Sequence, residues 1–160
     1  MENLTPIRTE WRKAKARAAQ LCLRAGREDV AQKLRVCTMF HGDETLEELI
    51  DKMFSPRGRE FIARFDFPTL SVFRQFTKYD TQSLGVFIDA GDITLTDVQR
   101  VMLVGKTRAK LIYTQTKLNN IVVLRGAEAH IEANGYSVVS VDMDRTSKCR
   151  TILNDHAVVR

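Results

Sequence analysis

"VMLVGKTRAKLIY" (residues 101–113) and "IVVLRGAEAHIEA" (residues 121–133) overlay at an offset of 20, matching Leu103 to Val123, Ala109 to Ala129 and Leu111 to Ile131. Short strand-like pieces surround them, at 85–88, 92–95, 101–104, 109–113, 120–124, 130–132, 137–141, 150–153 and 157–159. In these pieces apolar residues alternate with polar ones and β-branched residues and glycines are frequent, the pattern of strands. They come in pairs. The first member recurs as Leu103, Val123, Val141 and Val159, and the second as Leu111, Ile131 and Ile152, with Phe87 and Ile93 one turn earlier. A recurrence near 20 residues with no helix between strands predicts a small parallel β-solenoid, in which each coil stacks its inward side chains on those of the coil before. The rival arrangement is an antiparallel β-sandwich or roll, because Asn134-Gly135 between alternating segments is a hairpin signal.

Upstream, the period is 3.6 instead of 2. Ile7, Trp11, Ala14, Ala18, Leu21 and Ala25 form one helical stripe, with Thr5 as cap, Pro6 as first helical residue and Gly26 as terminator. A second helix is expected over 28–39, with Val30, Leu34 and Cys37 inward. Thr45 and Glu48 form a capping box ahead of Leu46, Leu49, Ile50, Met53 and Phe54. Ser55-Pro56 then opens a helix carrying Phe61, Ile62 and Phe65, and Pro68 opens a last one through Leu70, Phe73 and Phe76. The fold class is therefore α+β: a helical region over 1–80 that caps a solenoid over 84–160.

The net charge of +5 lies entirely at the front. Residues 1–36 hold nine basic and four acidic side chains, and the other 124 hold 16 of each. Arg8, Arg12 and Lys15 flank the first stripe on one side, and Lys13, Arg17 and Arg24 on the other, making a basic amphipathic helix suited to an acidic protein or to nucleic-acid phosphates. Three widely spaced cysteines, Cys22, Cys37 and Cys149, imply free thiols in a reducing compartment. With no apolar leader and no run long enough to span a bilayer, the expected location is the cytoplasm, without membrane contact.

No motif names a reaction or a cofactor. "VGKT" (104–107) lacks the first glycine of a phosphate-binding loop, Arg100 standing in its place, and reads as a turn between strands. His130 aligns with Lys110 and points outward, with no group spaced to orient its imidazole as a base. Cys37 and His41 make one ligand pair where structural zinc needs two. Asp89 with Asp92, and Asp142 with Asp144, are too few oxygens for Ca²⁺ and read as turn carboxylates.

"FPTLSVFRQFTKYDTQSLGVFIDAGDITL" (67–95), joined to the repeats, resembles small proteins carried by bacterial phages and mobile elements, helical in the first half and solenoidal in the second. The resemblance spans roughly residues 40–160 and implies an accessory or interaction role. The expected function is a non-enzymatic protein-interaction or scaffolding module, the alternative being a nucleic-acid-binding regulator acting through the basic helix. "HAVVR" (156–160) stops within a strand, so self-association through Val158 and Val159, giving a homodimer, is expected to cover the last coil.

Overall fold

A computed structural model describes residues 3–37 and 39–160, and the chain forms two compact units, Met1–Tyr79 and Asp80–Arg160. Among the described residues the first unit has five α-helices: α1 (Thr5–Arg24), α2 (Glu28–Arg35), α3 (Leu46–Phe54), α4 (Pro56–Phe65) and α5 (Leu70–Gln75). A 3₁₀ turn over Phe76–Lys78 prolongs α5. Thr5 does not cap α1 as expected but is its first residue, the cap position falling on Leu4. Asn3 Oδ1 accepts the Thr5 N–H instead, at 3.2 Å. The buried stripe of α1 is Ile7, Ala14, Ala18, Ala19 and Cys22. Leu21 and Ala25, expected on it, are exposed: Cys22 takes the buried place in the last turn, and Ala25 is the C-cap beyond the helix.

α2 is shorter than the expected 28–39, of which Thr38 lies outside the described residues. Cys37 falls beyond the helix, and its carbonyl accepts from Lys15 Nζ at 2.7 Å. The capping box of α3 is present in both halves, Glu48 N–H to Thr45 Oγ1 at 3.2 Å and Thr45 N–H to Glu48 Oε2 at 2.8 Å. Ser55 alone separates α3 from α4 and caps the latter through the Gly58 N–H at 3.0 Å. Pro68 precedes the last helix and Thr69 caps it, accepting the Val72 N–H at 3.3 Å. Leu49, Ile50, Met53, Phe73 and Phe76 are the fully buried centre of this unit.

The second unit is a parallel β-solenoid of about four turns. Its strands are β1 (Val86–Ile88), β2 (Gly91–Thr96), β3 (Arg100–Val104), β4 (Thr107–Tyr113), β5 (Leu118–Leu124), β6 (Glu128–Ala133), β7 (Val138–Met143), β8 (Lys148–Leu153) and β9 (Val158–Val159). They alternate between two all-parallel sheets, β1-β3-β5-β7-β9 and β2-β4-β6-β8. Asn134-Gly135 does form a tight turn, with Gly135 at φ +63 and the Ser137 N–H on Asn134 O at 3.2 Å. The strands on either side of it enter different sheets, so it is a corner of one coil and not a hairpin. The antiparallel alternative is thereby excluded.

Register corrects the expected columns. The first coil steps by 16 residues, Val86 pairing with Met102 and Gly91 with Thr107, and each later coil by 20. Val123 therefore stacks on Met143, not Val141, while Val141 pairs with Ile121 and Val159 with Val139. The other column is Leu95, Leu111, Ile131 and Thr151, buried at Leu111 and Ile131 and exposed at Thr151 in the last coil, so Ile93 belongs beside Ala109. Ile152 pairs with Glu132 on the outer face and is 64% exposed. A period of 20, being even, returns every residue to the same face, whereas the 21 residues from Ile131 to Ile152 reverse it. The buried core joins Leu103, Leu111, Tyr113, Ile121, Val123 and Ile131 to small residues, Ala109, Ala127, Ala129 and Ala133, where the two sheets close on each other.

Candidate functional site

The basic flank of α1 is largely occupied. Arg8 donates from Nε to Glu44 O at 2.9 Å and from Nη2 to the carbonyls of Asp43, at 3.0 Å, and Glu44. Arg12 Nη2 donates to Gly42 O at 3.0 Å, and Lys15, one turn on, holds Cys37 O. Among the described residues between α2 and α3 no helix or strand satisfies the carbonyls of Cys37, Gly42, Asp43 and Glu44, and these three cations do so. Lys13 pairs with Glu10 at 3.0 Å on the surface. The side chains of Arg17 and Arg24 are exposed and make no hydrogen bond or ion pair among the described residues.

Glu44 completes this loop and was not legible as a functional position in the sequence. It is 2% exposed, accepts the backbone N–H groups of His41 and Gly42, the latter at 2.8 Å, and lies 3.4 Å from Lys52 Nζ. Burial pushes its carboxyl upward, but these hydrogen bonds and Lys52 outweigh it and hold the group below the usual carboxylate range. Cys37 and His41 thus contribute backbone groups to the loop, and no cluster able to hold a metal occurs among the described residues.

Beside this loop the helical unit opens into a groove of about 530 Å³. Its walls come from α1, α2, α4 and the residues between them: Trp11, Leu34, Phe40, Phe61, Phe65 and Phe67. The rings lock one another, Trp11 meeting Phe67 edge-on at 4.9 Å and Phe40 nearly parallel at 6.4 Å, with Phe61 against Phe65 at 4.8 Å. Val30, Leu34, Phe61 and Phe65, marked as core by their spacing, are only half-buried because they face this space. Five cations border it: Lys15, Lys33, Lys52, Arg57 and Arg64. Arg64 lies 3.5 Å from Glu60 and Lys52 pairs with Glu44, whereas among the described residues Lys15 Nζ meets only an uncharged carbonyl. Lys33 and Arg57 have no ion-pair partner among the described residues. Arg57 also borders a second depression, where Glu48 and Asp51 sit.

In the solenoid the remaining candidates serve the coil. "VGKT" is the corner from β3 to β4, where Thr107 Oγ1 donates to Val104 O at 2.9 Å and accepts the Ala90 N–H at 3.0 Å. Asp89 Oδ1 accepts the Lys106 N–H at 2.8 Å, tying corner to corner. Asp97 does the same at the next corner, between β2 and β3: the N–H of Thr114 at 2.8 Å and its hydroxyl at 2.7 Å hold that carboxyl below its ordinary range. At Asp144 burial raises the pKa, but hydrogen bonds led by the Arg125 N–H at 2.7 Å outweigh it. His130 faces outward in register with Lys110 and Arg150, 4.0 Å from Glu128, which also meets Arg108 at 3.0 Å and Lys148 at 3.9 Å. Val158 is half-exposed and Val159 half-buried; nearby in sequence, Met143, Ile152 and Leu153 are also exposed.

No protein-family model, curated protein or solved structure matches the chain. No helix among the described residues is long and apolar enough to cross a membrane.

Proposed function

We propose that the chain is a non-enzymatic protein-interaction module, with the solenoid as a rigid platform and the helical unit carrying a contact surface. What supports this reading is the groove: several aromatic and aliphatic side chains of α2 and α4 lie half-exposed together, and a contiguous apolar surface of this kind is the usual mark of an interaction site. An accessory role in a phage or mobile element, the role implied by the resemblance, calls for a surface of this type. The nucleic-acid alternative draws on Lys13, Arg17 and Arg24, but Arg8, Arg12 and Lys15 already donate to backbone carbonyls and have fewer donors left for phosphates.

Affinity capture with the full chain from its native host, with and without nuclease, tests the reading. A protein retained after nuclease treatment is the expected result. Nucleic acid in the eluate, bound with a salt slope of about 0.9 per phosphate that flattens when Lys13, Arg17 and Arg24 become Gln, would overturn it. So would any enzymatic turnover abolished by His130→Ala.

A further inference from the structure

We infer that the groove of the helical unit takes an acidic amphipathic helix of a partner protein, apolar side chains inward and carboxylates on the rim. This rests on the protein-interaction reading above and names the partner's chemistry. The apolar half of the argument is shape: the walls are helices, and a groove between helices accepts the ridge of another, with anchors at i, i+3, i+4 and i+7. About 530 Å³ is room for several large side chains, and Trp11, Phe40, Phe61 and Phe65 offer ring faces and edges to them.

The polar half is charge complementarity. Of the five cations at the border, two face acids, Lys52 with Glu44 and Arg64 with Glu60. Lys15, Lys33 and Arg57 form no ion pair among the described residues and leave a surplus of positive charge around the apolar opening, although Glu48 and Asp51 lie across the second depression from Arg57. A basic or neutral helix would bring like charge, or none, against that rim, while glutamates flanking the apolar anchors would pair with it. The surplus positive charge of residues 1–36 adds a field of the same sign.

Trp11, the single tryptophan of the chain, lies in the wall and reports occupancy directly. The probe is a blocked helical peptide of about five turns with Leu at i, i+3, i+4 and i+7 and Glu elsewhere, compared with the same peptide carrying Lys for Glu. With the full chain, the acidic peptide is expected to shift Trp11 emission saturably, and the Lys peptide to bind at least about tenfold more weakly. The double variant Lys33→Glu and Arg57→Glu, both exposed, should weaken the acidic peptide about tenfold and strengthen the Lys peptide. Phe65→Gln should abolish the shift, with circular dichroism confirming that the helices persist. The inference is overturned if Trp11 does not respond to the acidic peptide, if both peptides bind alike, or if charge reversal changes nothing. It is equally overturned if oleate vesicles or duplex DNA saturate the response and the peptide does not. Should a protein captured from the host remain bound to the Lys33→Glu, Arg57→Glu and Phe65→Gln variants, the interaction reading stands and this site falls.

Discussion

Gly58 shows how one residue decides whether two helices can meet. It is the third residue of α4, and a Cβ built on it would lie 1.8 Å from Lys52 O and 2.8 Å from Lys52 C, backbone atoms that cannot swing aside. The close approach of α3 and α4 across the single residue Ser55 therefore requires glycine. Gly58→Ala would remove the flexibility of glycine in a helix, worth about 0.5–1 kcal/mol in favour of Ala, yet force the two backbones apart. The expected net result is a loss of about 1–3 kcal/mol in denaturant unfolding. A stability equal to or above the parent would show that α3 and α4 have room to separate. Glu44 is the corresponding polar case, a buried carboxylate kept ionised because the loop turns two N–H groups and Lys52 toward it.

At the scale of the strand, the unit of stability is the column. Ile131 sits in the third coil between Leu111 and Thr151 and is 2% exposed, while Ile152, one coil on and one residue out of phase, faces solvent beside Glu132. Ile131→Ala should cost about 2–5 kcal/mol because it opens a cavity that both neighbouring coils line. Ile152→Ala should change stability by less than about 0.5 kcal/mol, as should Lys110→Ala on the same outer face. Equal losses at Ile131 and Ile152 would contradict the register. The corners obey the same stacking logic: Asp89 and Asp97 each accept a backbone N–H from the coil that follows, and Gly135 donates its N–H to Asp155 at 3.1 Å.

For the whole molecule, the question is what meets the exposed part of the solenoid. Among the described residues β8 pairs only with β6 and β9 only with β7, and Met143, Ile152, Leu153 and Val158 are exposed on β7, β8 and β9. Unpaired strand edges flanked by apolar side chains favour strand-to-strand association. Self-association through Val158 and Val159 predicts that mass in solution rises with concentration from one chain toward two, and that Val159→Lys holds it at one. A mass that stays at one chain across a wide concentration range, unchanged by Val159→Lys, would dispose of this interface.

Local sequence pattern determined the change from helices to strands near residue 80, the α3 capping box and the nine strands, because each follows from side chains within one local element; the repeat near 20 residues favoured parallel stacking, and the pairing between coils decided it against the antiparallel alternative. It also placed His130 outward and "VGKT" in a corner. The columns beyond Val123 and Ile131 were not legible, since valines and isoleucines two or three residues apart fit a loose repeat equally well, and only the hydrogen bonds between coils select one pairing. The groove was hidden for a similar reason. Val30, Leu34, Phe61 and Phe65 have the spacing of core residues, and spacing cannot tell a face that closes on a neighbour from one that stops short of it. The fate of Arg8, Arg12 and Lys15 likewise depended on a loop 22 to 36 residues away, whose carbonyls reach those side chains only in the folded chain.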